Sequence, residues 1–299
     1  MKAAPTATLT SFPNRWLPYL LLAPQLAITC VFFVWPAFKA LSGAFYQSNP
    51  FGLGSYFVGL GNFTALFADP AYLHAIGITL VYSLSTTVLS MGMGLFLAVL
   101  TEDLVAGHTF FRTLFIWPYA VAPAIAGALW LFAFAPQIGP ATDLLAALGI
   151  QWNYALNGTQ ALLLIISLTA WQQIAYNFLF FTAGLQGIPD ALLEAASLDG
   201  ASYMRRFFGI VFPLLAPTTF FLLIMNITYV FFDTFGVISI VTQGGPSNAT
   251  QTLVYKVYQD GFQNLNLGSA AAQSIILMLL VGLLTLFQFR YLDRQIHYQ

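Results

Sequence analysis

Long apolar runs separated by short polar stretches set the rhythm of this chain. Apolar residues fill 17–39, 75–100, 110–134, 161–185, 214–240 and 270–289, with few charges inside them. Crossing the hydrocarbon of a bilayer takes about 20 apolar residues at about 1.5 Å each, and every run reaches that length. None alternates polar with apolar residues at the strand period, so helices are predicted and a closed barrel is not. The first run follows Lys2 and Arg15 as a secretory leader would, but it is too long, and 35–44 holds no convincing small-residue cleavage site. It reads as a retained first helix. The expected fold is an all-α membrane protein with six transmembrane helices, a single domain over 1–299.

Composition agrees and narrows the function. Hydrophobic residues make up 59% of the chain and charged residues 6%, against roughly a quarter charged in an average soluble domain. Most of the surface must therefore meet the lipid bilayer or protein. A net charge of −1 offers no basic footprint for nucleic acid. Cys30 is the only cysteine, so no intrachain disulfide forms, and His74, His108 and His297 lie too far apart in sequence to suggest a metal site. No cofactor is expected.

Charge also sets the orientation. With the N-terminus inside, Lys2, Arg15, Arg112, Arg205, Arg206, Arg290 and Arg294 fall on the cytoplasmic side and only Lys39 and Lys256 fall outside. The positive-inside rule then places both termini in the cytoplasm. The outer segments 40–74, 135–160 and 241–269 are rich in turn-forming residues. Trp16, Tyr19, Trp35, Trp117, Tyr119 and Tyr291 gather near span ends, as interfacial rings do. Pro24, Pro36, Pro118, Pro123 and Pro217 should kink or start helices. Ala120, Ala124 and Ala128 form a small-residue stripe suited to close packing of the third span.

The segment between the fourth and fifth runs, 189–213, has its own logic. Pro189 stands where a helix can begin, with Asp190 in the favoured first turn. Asp190 to Leu198 makes about two turns, and Gly200 follows where a left-handed cap is expected. Ser202 can cap a second helix over 203–211, on which Tyr203, Phe207 and Ile210 share a side and Arg205 and Arg206 lie off it. Such a helix-turn-helix lies along the membrane surface and docks into a partner, or is an ordinary amphipathic connector.

Here the sequence resembles a known family. Glu194-Ala195-Ala196, then Gly200, Ile210 and Pro213, is similar to the cytoplasmic signature of inner-membrane permeases of ABC-type importers, with Phe212 standing where the pattern has Leu. Thr242-Gln243-Gly244-Gly245-Pro246 resembles the Gly-Gly-Pro segment of the carbohydrate-importer permeases. Stretches at 15–26, 117–130, 176–181, 231–235, 270–274 and 288–299 are similar to the first permeases of the sn-glycerol-3-phosphate branch. The resemblance implies the type I ABC importer permease fold and a coupling helix carrying Glu194, Ala195, Ala196, Asp199 and Gly200. It also implies a second, different permease subunit, a dimeric cytoplasmic ATPase, an extracytoplasmic substrate-binding protein and a bacterial inner-membrane location. Glu194 would contact the ATPase, and Gly200 would permit the turn. No phosphate-binding loop occurs in the sequence, so ATP hydrolysis is expected in the partner, and no converging catalytic set suggests an enzyme.

Polar residues inside spans are the remaining signal. Gln173 and Asn177 share one face of the fourth span, with Gln172 and Tyr176 beside them. Asn226, Tyr229 and Asp233 form a stripe on the fifth. They line a translocation path or hydrogen-bond between helices, and the spacing leaves both open. Glycerol 3-phosphate is anionic, yet no Lys or Arg lies deep in a span. A sugar or another polyol is the alternative substrate. An ion-gradient transporter would have only Asp233 as a coupling site and would leave the signature at Glu194 unexplained. A membrane enzyme or scaffold lacks a reactive constellation.

Overall fold

The computed structural model describes residues 16–48, 54–102 and 108–292. Lys2, Arg15, Arg294 and His297, which entered the charge and histidine readings, lie outside the described residues, and so does the side chain of His108. Four helices are each long and apolar enough to cross a membrane: α1 (Leu17–Gly43), α3 (Pro70–Glu102), α7 (Gly158–Gln186) and α13 (Leu267–Leu292). Two bent pairs, each counted as one span, complete the six. Between α1 and α3 lie a small hairpin, β1 (Tyr46–Ser48) and β2 (Ser55–Phe57), with Tyr46 opposite Phe57, and a short helix α2 (Gly61–Ala68). These are the only strands among the described residues, and two further short helices, α6 (Pro140–Ala147) and α12 (Leu253–Tyr258), lie later in the chain.

The two bent spans depart from the simple helices expected at 110–134 and 214–240. The third span runs as a helix to Ala120 and resumes as α5 (Pro123–Ala133) at 101° to it, after α4 (His108–Ile116) and a tight turn at Trp117–Ala120. Pro118 and Pro123 each lack a donor, so the hydrogen-bond ladder stops between them. The break also divides the alanine stripe. Ala120 and Ala124 now sit on different helices, and the face of α5 that is buried carries Ala126 and Gly127. The fifth span breaks twice. α9 (Tyr203–Leu214) meets α10 (Ala216–Phe232) at 64° beside Pro217, and α11 (Phe235–Val241) starts after Asp233 and Thr234.

The bundle is organised on α3 and α7, the pair in most extensive contact. Gly94 makes that approach possible: a Cβ there would come within 2.6 Å of the Asn177 Cβ and 3.1 Å of the Phe178 amide. Three apolar clusters follow along the bundle. Tyr82, Leu164, Ile165, Leu168, Val237 and Ile238 form one; Tyr72, Ala75, Phe231, Leu253 and Leu277 form a second, toward the hairpin. Ala98, Phe178, Phe181, Val211, Leu215 and Leu222 form a third, toward the 190–211 segment. The apolar window of α1 has no buried residue, so a bilayer or a second protein must cover it.

Candidate functional site

α8 (Asp190–Leu198) starts directly after Pro189, which occupies the N-cap. It ends in a paired backbone cap. The Ala201 amide donates to the Ala196 carbonyl at 3.0 Å, and the Gly200 amide to the Ser197 carbonyl at 3.0 Å, with Gly200 at φ +77°. This geometry places a left-handed residue just past the helix and accounts for glycine there. No atom lies within 4 Å of where a Gly200 Cβ would stand, so the requirement is one of backbone conformation, not of space. Ser202 holds the N-cap position of α9, but its hydroxyl makes no capping bond; the Arg206 amide donates to its carbonyl at 2.9 Å instead.

The two faces of α8 differ in kind. Leu193, with Ile188 and Phe207 beside it, packs against the cluster of Ala98, Phe178, Phe181 and Leu215. Glu194, Ala195 and Asp199 are exposed on the other side, Ala196 is half-buried, and Leu198 is 89% exposed. Leu198 and Leu192 thus leave apolar area uncovered beside the exposed Glu194 and Ala195. Arg206, expected off the packed side of α9, is half-buried and lines a cavity with Tyr203 and Phe207.

The polar residues of the spans divide into two groups. A cavity of about 210 Å³ is lined by Gln173 and Tyr176 of α7, Met225, Thr228 and Tyr229 of α10, Tyr119 at the break of the third span, and Asp233. Asp233 caps the C-terminus of α10, its amide donating to the Tyr229 carbonyl at 2.8 Å, and its side chain is exposed on the surface of this chain. Gln173, Tyr229 and Asp233 are thus brought together. Tyr119 belongs with them, its ring 5.6 Å from that of Tyr176, although its place near a span end suggested an interfacial ring. The prolines on either side of it were the signal that the chain turns inward there.

Asn177 and Asn226 lie elsewhere. Both are fully buried and exchange amide hydrogen bonds, Asn226 Nδ2 to Asn177 Oδ1 at 2.7 Å and Asn177 Nδ2 to Asn226 Oδ1 at 3.1 Å. Ser90 of α3 donates to the same Asn226 oxygen at 3.2 Å. Three spans are joined at one point, and neither amide lines the cavity. The stripe from Asn226 to Asp233 therefore carries two roles, interhelical at its inner end and cavity-lining at its outer end. Gln172, beside Gln173, donates to the Val121 carbonyl at 2.9 Å. That carbonyl sits at the proline break, where the helix ladder leaves backbone groups without intrahelical partners; a side chain from a neighbouring helix supplies one.

Lys256, one of the two cations expected on the outer side, is buried. Its Nζ lies 3.3 Å from Asp260 and 3.5 Å from Asp69, so two carboxylates already answer its charge.

Comparison with known proteins agrees in sequence and in structure. The family described as the binding-protein-dependent transport system inner membrane component matches residues 78–298. The sn-glycerol-3-phosphate transport system permease protein UgpA of Brucella abortus is 57% identical over 288 residues, covering 96% of this chain and 98% of the relative. The protein of the same name from Escherichia coli UTI89 is 52% identical over 288 residues, with the same coverage. Among solved structures, a chain of a bacterial ABC transporter that imports the acidic polysaccharide alginate superposes with a TM-score of 0.81 at 22% identity, covering 93% of this chain and 96% of that one. A chain of the MetNI methionine ABC transporter gives a TM-score of 0.53 at 18% identity, over 76% and 97%. These structures share the fold.

Proposed function

Because this chain belongs to the family of inner-membrane components of binding-protein-dependent transport systems, we propose that it is the membrane-spanning subunit of an ATP-driven importer of sn-glycerol 3-phosphate. The observation that carries the substrate is the 52–57% identity, over nearly whole chains, to permeases named for that compound. In this reading a second, different permease completes the pathway, a cytoplasmic ATPase dimer drives it, and an extracytoplasmic binding protein delivers the substrate. ATP is hydrolysed by the ATPase, and both termini of this chain lie in the cytoplasm.

The packing supports a mechanical route. An ATPase engaging Glu194, Ala195, Ala196, Asp199 and Gly200 would press on Leu193 and Ile188, which bear on Phe178, Phe181 and Leu215. Phe178 sits on the helix that carries Gln173, and α10 runs from just past Leu215 to Tyr229 and Asp233. Displacement of α8 therefore reaches the cavity through two helices that are packed together. Asp233, Tyr229 and Gln173 would meet substrate hydroxyls there, while Asn177 and Asn226 hold the moving helices in register.

A sugar or another polyol is the second reading, and one observation favours it. The cavity lining includes the Asp233 carboxylate and no cation, and the charge of Lys256 is already balanced. A phosphate would take its counter-charge from the partner permease or from helix N-termini, or be held only weakly in the path. One experiment addresses both readings. Proteoliposomes holding the whole complex, with ATP at the ATPase face and binding protein on the other, should take up labelled sn-glycerol 3-phosphate without an ion gradient. Uptake of a neutral polyol with exclusion of the phosphate would select the second reading. Uptake that follows an ion gradient and ignores ATP would dismiss both.

A further inference from the structure

Behind the coupling segment is a cavity of about 400 Å³ that the transport reading does not use. It lies between the end of α3, the end of α7, and the two helices of the 190–211 segment, and its volume is ample for a small polar head. Among the described residues its charged lining is Glu102, Asp190 and Arg206, with Tyr203, Phe207 and Val211 among the others. Among the described residues, no ion pair within 4.0 Å involves Arg206, Glu102 or Asp190, and the buried Nε of Arg206 has no hydrogen-bond partner. A guanidinium N–H withdrawn from water without an acceptor is costly. The cavity is thus built for a ligand bearing an anionic acceptor.

The charge balance narrows that ligand. Among the described residues one cation and two carboxylates give the lining a formal charge of −1, which disfavours a ligand that is itself a net anion. A molecule carrying both a phosphate and an ammonium group satisfies all three: the phosphate at Arg206, the ammonium N–H groups at Glu102 and Asp190. The surroundings say where it comes from. On α9, next to the cavity, Met204 is 64% exposed, Phe208 63% and Phe212 43%. The Phe208 ring lies 5.1 Å from that of Phe207, which lines the cavity. An apolar helix face of this kind lies at the boundary of the acyl chains, so a cavity beside it that offers one guanidinium and two carboxylates is placed to take a zwitterionic headgroup. We infer that this cavity holds the head of a phosphoethanolamine-type phospholipid, its chains lying along Phe208 and Phe212, so that the lipid bridges the coupling helix and the end of α3. The inference rests on the membrane location alone and stands whichever substrate is carried.

The test is retention of lipid by the purified whole complex. The detergent-extracted complex, stripped of native lipid, is offered dioleoyl phosphatidylethanolamine, phosphatidylcholine or phosphatidylglycerol, and bound lipid is counted by native mass spectrometry. Phosphatidylethanolamine should be retained at least tenfold better than the other two. Arg206→Gln should lower that retention about tenfold, and Arg206→Lys should restore part of it. Glu102→Gln combined with Asp190→Asn should abolish the preference for the primary ammonium over choline. Only assembled complexes are scored, so a folding defect does not mimic loss of the site. Soluble phosphoethanolamine, which has no chains, should compete weakly; full displacement by it at equal concentration would assign the site to a free metabolite and overturn the lipid reading. Equal retention of all three lipids, preference for phosphatidylglycerol, or unchanged retention in Arg206→Gln would each refute the assignment.

Discussion

The coupling segment and the mid-bundle cavity handle polar and apolar residues in opposite ways. On α8, Leu192 and Leu198 stand exposed while the helix closes its own backbone through Ala196, Ser197, Gly200 and Ala201. Around the cavity, polar side chains from three spans turn inward, and their neighbours Gln172, Asn177 and Asn226 find partners some fifty residues away in sequence. One region is specified locally and, in the proposed reading, completed by another protein. The other is specified by packing between distant parts of the chain and still presents Asp233 at its surface.

The largest effect should come from breaking the local rule. Gly200→Val puts a β-branched residue at φ +77°, a conformation that costs an ordinary L-residue roughly 1–2 kcal/mol and a branched one more. Uptake should fall at least tenfold with normal amounts of chain in the membrane, and Gly200→Asn should retain most of it. A Gly200→Val complex with full uptake would remove the turn from the mechanism.

Next in size is Asp233 in the cavity. Asp233→Leu should lower transport per assembled complex several-fold, and Asp233→Asn should lower it less, since the amide keeps hydrogen-bonding capacity. An unchanged value for Leu would place Asp233 outside the path.

The contrast explains what could be read from the chain. The spans, the two turns of α8 and the glycine cap depend on neighbours within a few residues, so periodicity and spacing display them. The 101° turn at Pro118–Pro123 was legible only as a kink, because its angle depends on α7 and on Gln172 reaching Val121. Asn177 and Asn226 looked equivalent to Gln173 and Asp233, since spacing on a helix does not tell which face meets a neighbour. Tyr119 entered the cavity only once the third span had turned.

Smaller effects sharpen the same division. Glu194→Ala should weaken retention of the ATPase by purified complexes a few-fold, because an exposed interfacial charge contributes modestly. Wild-type retention would argue that the apolar face alone docks. Smallest is Asn177→Leu, which removes both interhelical bonds of the pair, each worth about 0.6 kcal/mol on average, and leaves the Asn226 amide short of a partner. It should lower thermal stability or yield of the assembly while transport per assembled complex stays normal. A transport defect at full assembly would move this pair into the path.

In the proposed assembly Glu194 to Gly200 faces the cytoplasm and is covered by an ATPase. Cys30 is exposed and must first be replaced. In a Cys30→Ala background, Leu198→Cys is then treated with a membrane-impermeant thiol reagent. No labelling is expected in intact cells, rapid labelling in opened membranes stripped of peripheral subunits, and protection when the ATPase is added back. Labelling in intact cells, or equal labelling with and without the ATPase, would contradict it.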